Sequence, residues 1–216
     1  MTEDDFLSAL RSQRLLAIVR GSDADASLDT VLTLVRSGIG LVEVSLTGAD
    51  ALGVVERARA ALGPDAIVGA GTVLTTEDAR RAADAGAAFA VTPGVTDAVA
   101  ACRGLGLPVL AGALTPTEVA AALTEGATAV KLFPASLGGV AHLRALRAPF
   151  PDVPFVPVGG IDADAARAYL AAGALAVGVG SPLIGDAADG GDAATAGHEA
   201  LVGRAARFRR LVPVES

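Results

Sequence analysis

Along the chain, short runs of Val, Ile, Leu and Ala alternate with longer Ala-rich segments whose apolar positions recur at helical spacing. The apolar runs begin near Leu15, Leu41, Ala66, Phe89, Pro108, Ala129, Phe155 and Leu175, with starts 19–26 residues apart. That interval holds one strand, one helix and two short loops. Many runs end on Gly, Pro or Thr, as in "VRG", "GAGT", "TPG" and "VGG". Helices are predicted after them, for example over 76–85, 96–103 and 116–125. Several open with Thr or Asp near an N-cap and close toward Gly86, Gly104 or Gly126. Thr2-Glu-Asp-Asp suits a capped helix ahead of the first strand. The segment 185–197, "GDAADGGDAATAG", reads as a mobile loop before a last helix at about 198–210.

Near-continuous apolar strands imply a sheet covered on both faces, and strand–helix alternation implies that it is parallel. Eight such units predict an α/β fold, a (β/α)8 TIM barrel with a short N-terminal helix, as a single domain over 1–216. A doubly wound open sheet is the alternative; eight equivalent units and the chain length favour closure. A leucine-rich solenoid has a similar period, but its leucine and asparagine consensus is missing.

Composition narrows the function. The chain is 52% hydrophobic but only 3% aromatic, so the core is built from Ala, Val and Leu. Its formal charge of -7, with no basic cluster interleaved with aromatics, argues against a nucleic-acid or anionic-membrane partner. No apolar stretch is long enough and free enough of breakers to span a bilayer, and the acidic N-terminus lacks a signal-peptide pattern. The lone Cys102 excludes an intrachain disulfide, so the cytoplasm is the expected compartment; as a residue, Cys102 reads as a small packed side chain. His142 and His198 are far apart with no companion cluster, so no metal site is expected. "GAGTVL" at 69–74 lacks the third glycine and the acidic follower of a dinucleotide fingerprint.

Barrel active sites form where the strands end, which directs attention to ionisable groups inside the apolar runs. Lys131, the one lysine of the chain, lies in the sixth run, in "TAVKLFPAS". Glu43 lies in the second, in "LVEVSL". Strand alternation puts Glu43 and Ser45 on one face, with Val42, Val44 and Leu46 on the other; Ala129, Lys131 and Phe133 likewise share a face. Both ionisable groups then point into the barrel, either as a buried structural ion pair or as chemistry. Desolvation favours the neutral form of an amine. A neutral amine attacks a ketone to give a Schiff base, and a nearby carboxyl moves the protons this requires. A guanidinium cannot do this. Gly159 and Gly160, ending the seventh run before a helix near Asp162, and Gly180 and Ser181, ending the eighth, sit where barrels bind phosphate. Arg20, at the end of the first run, has the planar fork that suits a carboxylate.

Taken together, "LLAIVRG", "VEVSL", "VGAGTVLT", "FAVTPGV", "AVKLFPAS", "PFPDVPFVPVGGI" and "VGVGS" follow one another in an order that resembles the aldolases of 2-keto-3-deoxy-6-phosphogluconate, with their 2-keto-4-hydroxyglutarate and phosphogalactonate relatives. The likeness covers nearly the whole chain. It implies a metal-independent, cofactor-free class I aldolase on a TIM barrel, commonly a homotrimer, working in the Entner–Doudoroff route. Its substrate would be a phosphorylated keto acid and one product pyruvate. Lys131 would be the imine lysine and Glu43 the proton-shuttling carboxylate. Thr72, Pro93 and Phe133 would shape the pyruvate pocket; Gly159, Gly160, Gly180 and Ser181 would hold phosphate.

Two positions depart from the pattern. Many members read Leu-Arg-Thr after the second strand, where this chain reads Leu46-Thr47-Gly48, so the arginine is absent and Arg20 is the candidate to take over. Val158 stands where gluconate-type members often carry threonine and the galactonate type valine, so both epimers of the substrate stay open, as does 4-hydroxy-2-oxoglutarate. Outside the aldolases, a phosphate-binding barrel epimerase or isomerase and a non-catalytic sugar-phosphate binder are the alternatives.

Overall fold

The computed structural model describes residues 1–190 and 194–212. The sheet has eight parallel strands, β1 (Leu15–Val19), β2 (Leu41–Ser45), β3 (Ile67–Gly71), β4 (Ala90–Val91), β5 (Val109–Ala113), β6 (Ala129–Leu132), β7 (Phe155–Pro157) and β8 (Val177–Val179), in the order β7-β6-β5-β4-β3-β2-β1-β8. A bridge between Val158 and Gly178, with the Leu175 N–H donating to the Phe155 carbonyl at 2.9 Å, joins β7 to β8 and closes the barrel.

Helix α1 (Glu3–Gln13) precedes the first strand; α2 (Ala24–Arg36), α3 (Ala51–Leu62), α4 (Thr76–Asp84), α5 (Asp97–Gly104), α6 (Pro116–Thr124), α7 (Gly139–Arg147) and α8 (Ala163–Ala171) return the chain between strands. A 3-10 turn, Ala135–Leu137, precedes α7; a short α9 (Ser181–Ile184) and α10 (Ala194–Leu211) follow β8. The chain is the (β/α)8 TIM barrel that the strand–helix period predicts.

Strand alternation sorts the core into two shells. One face of the strands, including Val42, Val44, Val130 and Leu132, packs outward on the helices. The other, including Leu16, Leu41, Phe89, Leu110 and Val156, fills the interior. Helix α1 closes the N-terminal end: Phe6 and Leu10 are fully buried in that interior, and the Phe6 ring stacks on Phe89 with centroids 4.8 Å apart. The C-terminal end stays open. Helix starts are set by local chemistry. Thr2 with Asp5, Thr75 with Asp78 and Thr115 with Glu118 form capping boxes, and Pro116 sits in the first turn of α6.

Two expectations change after β8. Helix α10 starts at Ala194 rather than near residue 198, because the alanine-rich approach to Gly197 extends the helix backward. Residues 185–190 are not a free connector: Ala188 is buried, and Asp189 accepts hydrogen bonds from the Ser22 N–H (3.0 Å) and Oγ (3.1 Å). Residues 191–193 of the predicted loop lie outside the described residues.

Candidate active site

The open end of the barrel holds a cavity of about 740 Å³. Lys131, Glu43, Arg20, Thr72, Pro93, Phe133, Val158, Gly159, Gly160, Gly180 and Ser181 all line it. Every position singled out in the sequence is therefore brought to one place, from seven of the eight strand ends.

Glu43 and Lys131 form its floor. Glu43 pairs in register with Ile18 of β1 and Gly69 of β3; Lys131 pairs with Gly112 of β5 and Val156 of β7. The two side chains thus enter from opposite walls, at 1% and 6% exposure. Burial pushes the Glu43 carboxyl above its ordinary value, and the nearby Lys131 charge pulls it back to a lesser extent. Glu43 Oε2 has no hydrogen-bond partner among the described residues. A buried acceptor left open in this way is costly unless something entering the cavity uses it.

Glycines clear space for Glu43 and for the β4 loop. A methyl at Gly71 would overlap the Glu43 carboxylate. One at Gly112, beside Lys131, would stand 2.6 Å from the Gly94 nitrogen and nearer still to Pro93. The β4 loop can therefore lean over the barrel. Thr92 secures that loop, its Oγ1 donating to the Gly94 carbonyl (2.7 Å) and accepting from the Gly112 N–H (3.3 Å).

Lys131 Nζ lies 5.0 Å from the centroid of the Phe133 ring, which covers one side of the nitrogen. The Phe133 ring in turn rests on Gly159, whose missing side chain would be 3.2 Å from its edge. Gly159 (φ 101°) and Gly160 (φ 71°) both take left-handed conformations that favour glycine. Their turn leads to Asp162, which caps α8 by accepting from the Ala165 N–H at 2.8 Å. Two strands further around the rim, Arg20 is exposed at the end of β1, between β2 and β8.

The structure adds residues that sequence reasoning did not select as site residues. Ser45 Oγ lies 2.9 Å from Thr47 Oγ1 and 2.8 Å from Thr72 Oγ1, all three on the cavity wall. The shared face of Glu43 and Ser45 was the one available signal. Tyr169, on α8, donates its hydroxyl to the Ala135 carbonyl at 2.8 Å, and the Ala135 N–H donates to the Val158 carbonyl at 2.8 Å. The loop carrying Phe133 is thereby tied to both β7 and α8.

Elsewhere, Cys102 is buried, and burial pushes its thiol up to about 11, which keeps it unreactive. His142 Nε2 sits 2.6 Å from the Leu114 carbonyl oxygen, and His198 Nδ1 sits 3.1 Å from Thr33 Oγ1. Among the described residues no three His, Cys, Asp or Glu side chains gather as metal ligands, and no helix is long and apolar enough to cross a membrane.

Comparison with known proteins places this cavity in context. The family model "KDPG and KHG aldolase" matches residues 7–195. The 2-dehydro-3-deoxy-phosphogluconate aldolase of Treponema pallidum (strain Nichols) is 38% identical over 168 residues, 76% of this chain and 78% of that protein. A probable 2-dehydro-3-deoxy-6-phosphogalactonate aldolase of Rhizobium meliloti (strain 1021) is 36% identical over 182 residues, 82% of this chain and 85% of that one. Among solved structures, the KDPG aldolase of Legionella pneumophila, with pyruvate captured as a covalent carbinolamine, superposes with a TM-score of 0.81 at 27% identity, covering 97% of this chain and 98% of its own. By the extent of the family match and the identity to these relatives, the chain belongs to the KDPG and KHG aldolase family, and it is an aldolase, a lyase acting on small molecules.

Proposed function

We propose that this chain is a metal-independent class I aldolase that cleaves 2-keto-3-deoxy-6-phosphogluconate to pyruvate and glyceraldehyde 3-phosphate through a Schiff base on Lys131. The observation that carries the reading is the pairing of a buried amine and a buried carboxyl on opposite walls of one cavity.

The Lys131 amine attacks the C2 ketone. Glu43, whose burial favours a held proton, delivers it to the departing hydroxyl, so that water leaves and the iminium forms. The iminium accepts the electron pair of the C3–C4 bond as the C4 hydroxyl loses its proton. Glyceraldehyde 3-phosphate departs and an enamine remains. Protonation at C3 and hydrolysis release pyruvate and restore the amine. Phe133 and Pro93 keep water from the nitrogen, the Gly159–Gly160 turn with Gly180 and Ser181 receives the phosphate, and Arg20 at the rim meets an anionic group of the substrate.

The same mechanism on 2-keto-3-deoxy-6-phosphogalactonate is favoured by one observation. Val158 packs toward Gly178, its Cγ2 2.6 Å from where a methyl there would sit, and offers the substrate no hydroxyl partner on the β7 side. The Rhizobium relative carries that activity in its name. We further propose that 4-hydroxy-2-oxoglutarate is an additional substrate, that residues 1–216 act as one barrel domain in a cytoplasmic homotrimer, and that the enzyme serves the Entner–Doudoroff route.

Pyruvate release from the two epimers, measured side by side with and without a chelator, tests the reading. Turnover of either epimer that survives the chelator and is lost in Lys131→Arg is expected. Near-normal turnover by Lys131→Arg would overturn the imine mechanism, because guanidinium keeps the charge but forms no imine.

A further inference from the structure

Helix α9 is one turn long, and it begins on Ser181, which lines the cavity where the phosphate is proposed to sit. A turn this short gains little from its own hydrogen bonds. The Leu183 and Ile184 N–H groups donate to the Gly180 carbonyl at 2.8 and 3.0 Å, and the Gly185 N–H donates to the Ser181 carbonyl at 2.8 Å. The last two carbonyls, those of Leu183 and Ile184, find no partner inside the helix. The Ala187 N–H reaches the Ile184 carbonyl from the following loop at 3.2 Å. Pro182 has no N–H, so the donors that this turn can offer an anion are those of Ser181. Where Ser181 stands therefore depends on what fixes the other end of α9.

That end is held from outside the barrel. Arg204, half-buried on α10, donates from Nε to the Leu183 carbonyl at 2.6 Å and from Nη2 to the Ile184 carbonyl at 2.7 Å. Both distances are short, as expected for a charged donor. The planar fork meets two successive carbonyls at once, and a cation at this end also suits the helix dipole. Gly185 lets the guanidinium approach: it holds φ 59°, and a methyl there would stand 2.8 Å from Arg204 Nη2. Leu183 and Ile184 are buried, at 0% and 3% exposure. The C-terminal end of α9 is thus fixed by apolar burial and by Arg204, while Gly180 and Ser181 at its start face the cavity. Arg204 itself does not line that cavity.

We propose that Arg204 is a positioning residue for the phosphorylated end of the substrate. By capping the last two carbonyls of α9, it fixes where Ser181 stands relative to the Gly159–Gly160 turn. The inference rests on the reading of these loops as a phosphate site. Arg204 acts only through α9. Lys131 and Glu43 stand on β6 and β2, away from that helix, so the end of the site that handles pyruvate does not depend on it.

Two substrates separate the effect: 2-keto-3-deoxy-6-phosphogluconate, which uses both ends of the site, and pyruvate, which carries no phosphate. Pyruvate release gives KM for the first. Proton NMR in deuterium oxide gives half-saturation for the second, because an enamine on Lys131 exchanges the methyl protons of pyruvate with solvent. The parent chain comes first. Absence of exchange would overturn the imine reading, and a KM for the 6-phosphate no lower than that for its dephosphorylated form would overturn the phosphate reading. With both in place, Arg204→Met should raise KM for the phosphorylated substrate about tenfold, as for one misplaced hydrogen bond to a charged group. Half-saturation by pyruvate should stay within about twofold of the parent. A loss of folding alone would lower the active fraction and shift neither constant. Arg204→Lys keeps the charge but gives up the fork. It should still raise that KM about threefold or more, and it carries the test if Arg204→Met does not fold. Arg207→Met removes an exposed charge from the same helix and should change neither constant by more than about twofold. A folded Arg204→Met or Arg204→Lys with the parent's KM for the phosphorylated substrate overturns the proposal. So does a half-saturation by pyruvate that rises as much as that KM, or an Arg207→Met variant as weak as Arg204→Met.

Discussion

An alanine at position 71 puts one methyl group against the carboxyl that moves the protons. The added carbon would stand 2.5 Å from Glu43 Cγ and closer still to the carboxylate. A relaxed carbon–carbon contact is about 3.5–4.0 Å, so the Glu43 side chain must shift by roughly 1 Å or more. Backbone strain does not enter, because Gly71 is not among the positive-φ residues. The carboxyl has little room to step aside, since Glu43 is 1% exposed and Phe89 fills the space beside the neighbouring Gly69, 2.6 Å from where a methyl there would sit. A misplacement of this size at a reacting group costs about 100-fold in rate. Overpacking costs about 1–3 kcal/mol, which for a chain of this length lowers the melting temperature by roughly 2–12 °C. Coupled assay of pyruvate release well below the transition gives kcat and KM, and calorimetry gives the melting temperature. The expected outcome is a folded variant with kcat down about two orders of magnitude. A folded Gly71→Ala with near-parent kcat would refute the claim that the position of the Glu43 carboxyl limits the rate. Gly104→Ala is the matched control: its methyl meets nothing within 4 Å at the end of α5, so stability should rise by about 0.5 kcal/mol with kcat unchanged.

Glu43 should also leave a signature in stability. Burial raises its pKa above 4.5, so the folded chain keeps a proton that the unfolded chain has lost. Its stabilising contribution is full below about pH 4.5 and is lost as pH rises through the raised folded value. The melting temperature of Glu43→Gln minus that of the parent should therefore grow as pH rises from acid to neutral; a flat or falling difference would contradict the direction of the shift. Phe6→Ala removes the fully buried ring that closes the barrel's N-terminal end, and should cost about 3–5 kcal/mol. Its kcat at low temperature should match the parent, and thermal melts with kinetics check both. Tyr169→Phe leaves the buried Ala135 carbonyl without its donor, so denaturant titration should show a loss of about 1–3 kcal/mol.

The barrel was legible because it is written in local patterns. Each apolar run starts within two residues of an observed strand, since a strand buried on both faces leaves a continuous apolar signature whatever its partners. Lys131 and Glu43 stood out for a related reason: an ionisable group in such a run has to be explained. What escaped was contact between distant residues. The Ser45–Thr72 bond joins positions 27 apart, Tyr169–Ala135 spans 34, and Ser22–Asp189 spans 167. No local propensity encodes these; they exist because sheet register and helix packing bring the groups together. Residues 185–190 resemble a mobile loop on composition alone, yet Ala188 is 1% exposed. Small, acidic and glycine-rich composition does not reveal that the β1 loop closes over it.

The covalent chemistry assigned to Lys131 is open to one direct measurement. The full chain is incubated with pyruvate, reduced with borohydride, digested, and its peptides weighed. The sequence contains no second lysine, so a lysine adduct has one possible location. A single reduced pyruvyl group on the peptide carrying Lys131, growing in step with loss of aldolase activity and missing from Lys131→Arg, is the expected result. An enzyme that releases pyruvate from its substrate yet leaves Lys131 unmodified under these conditions would contradict it.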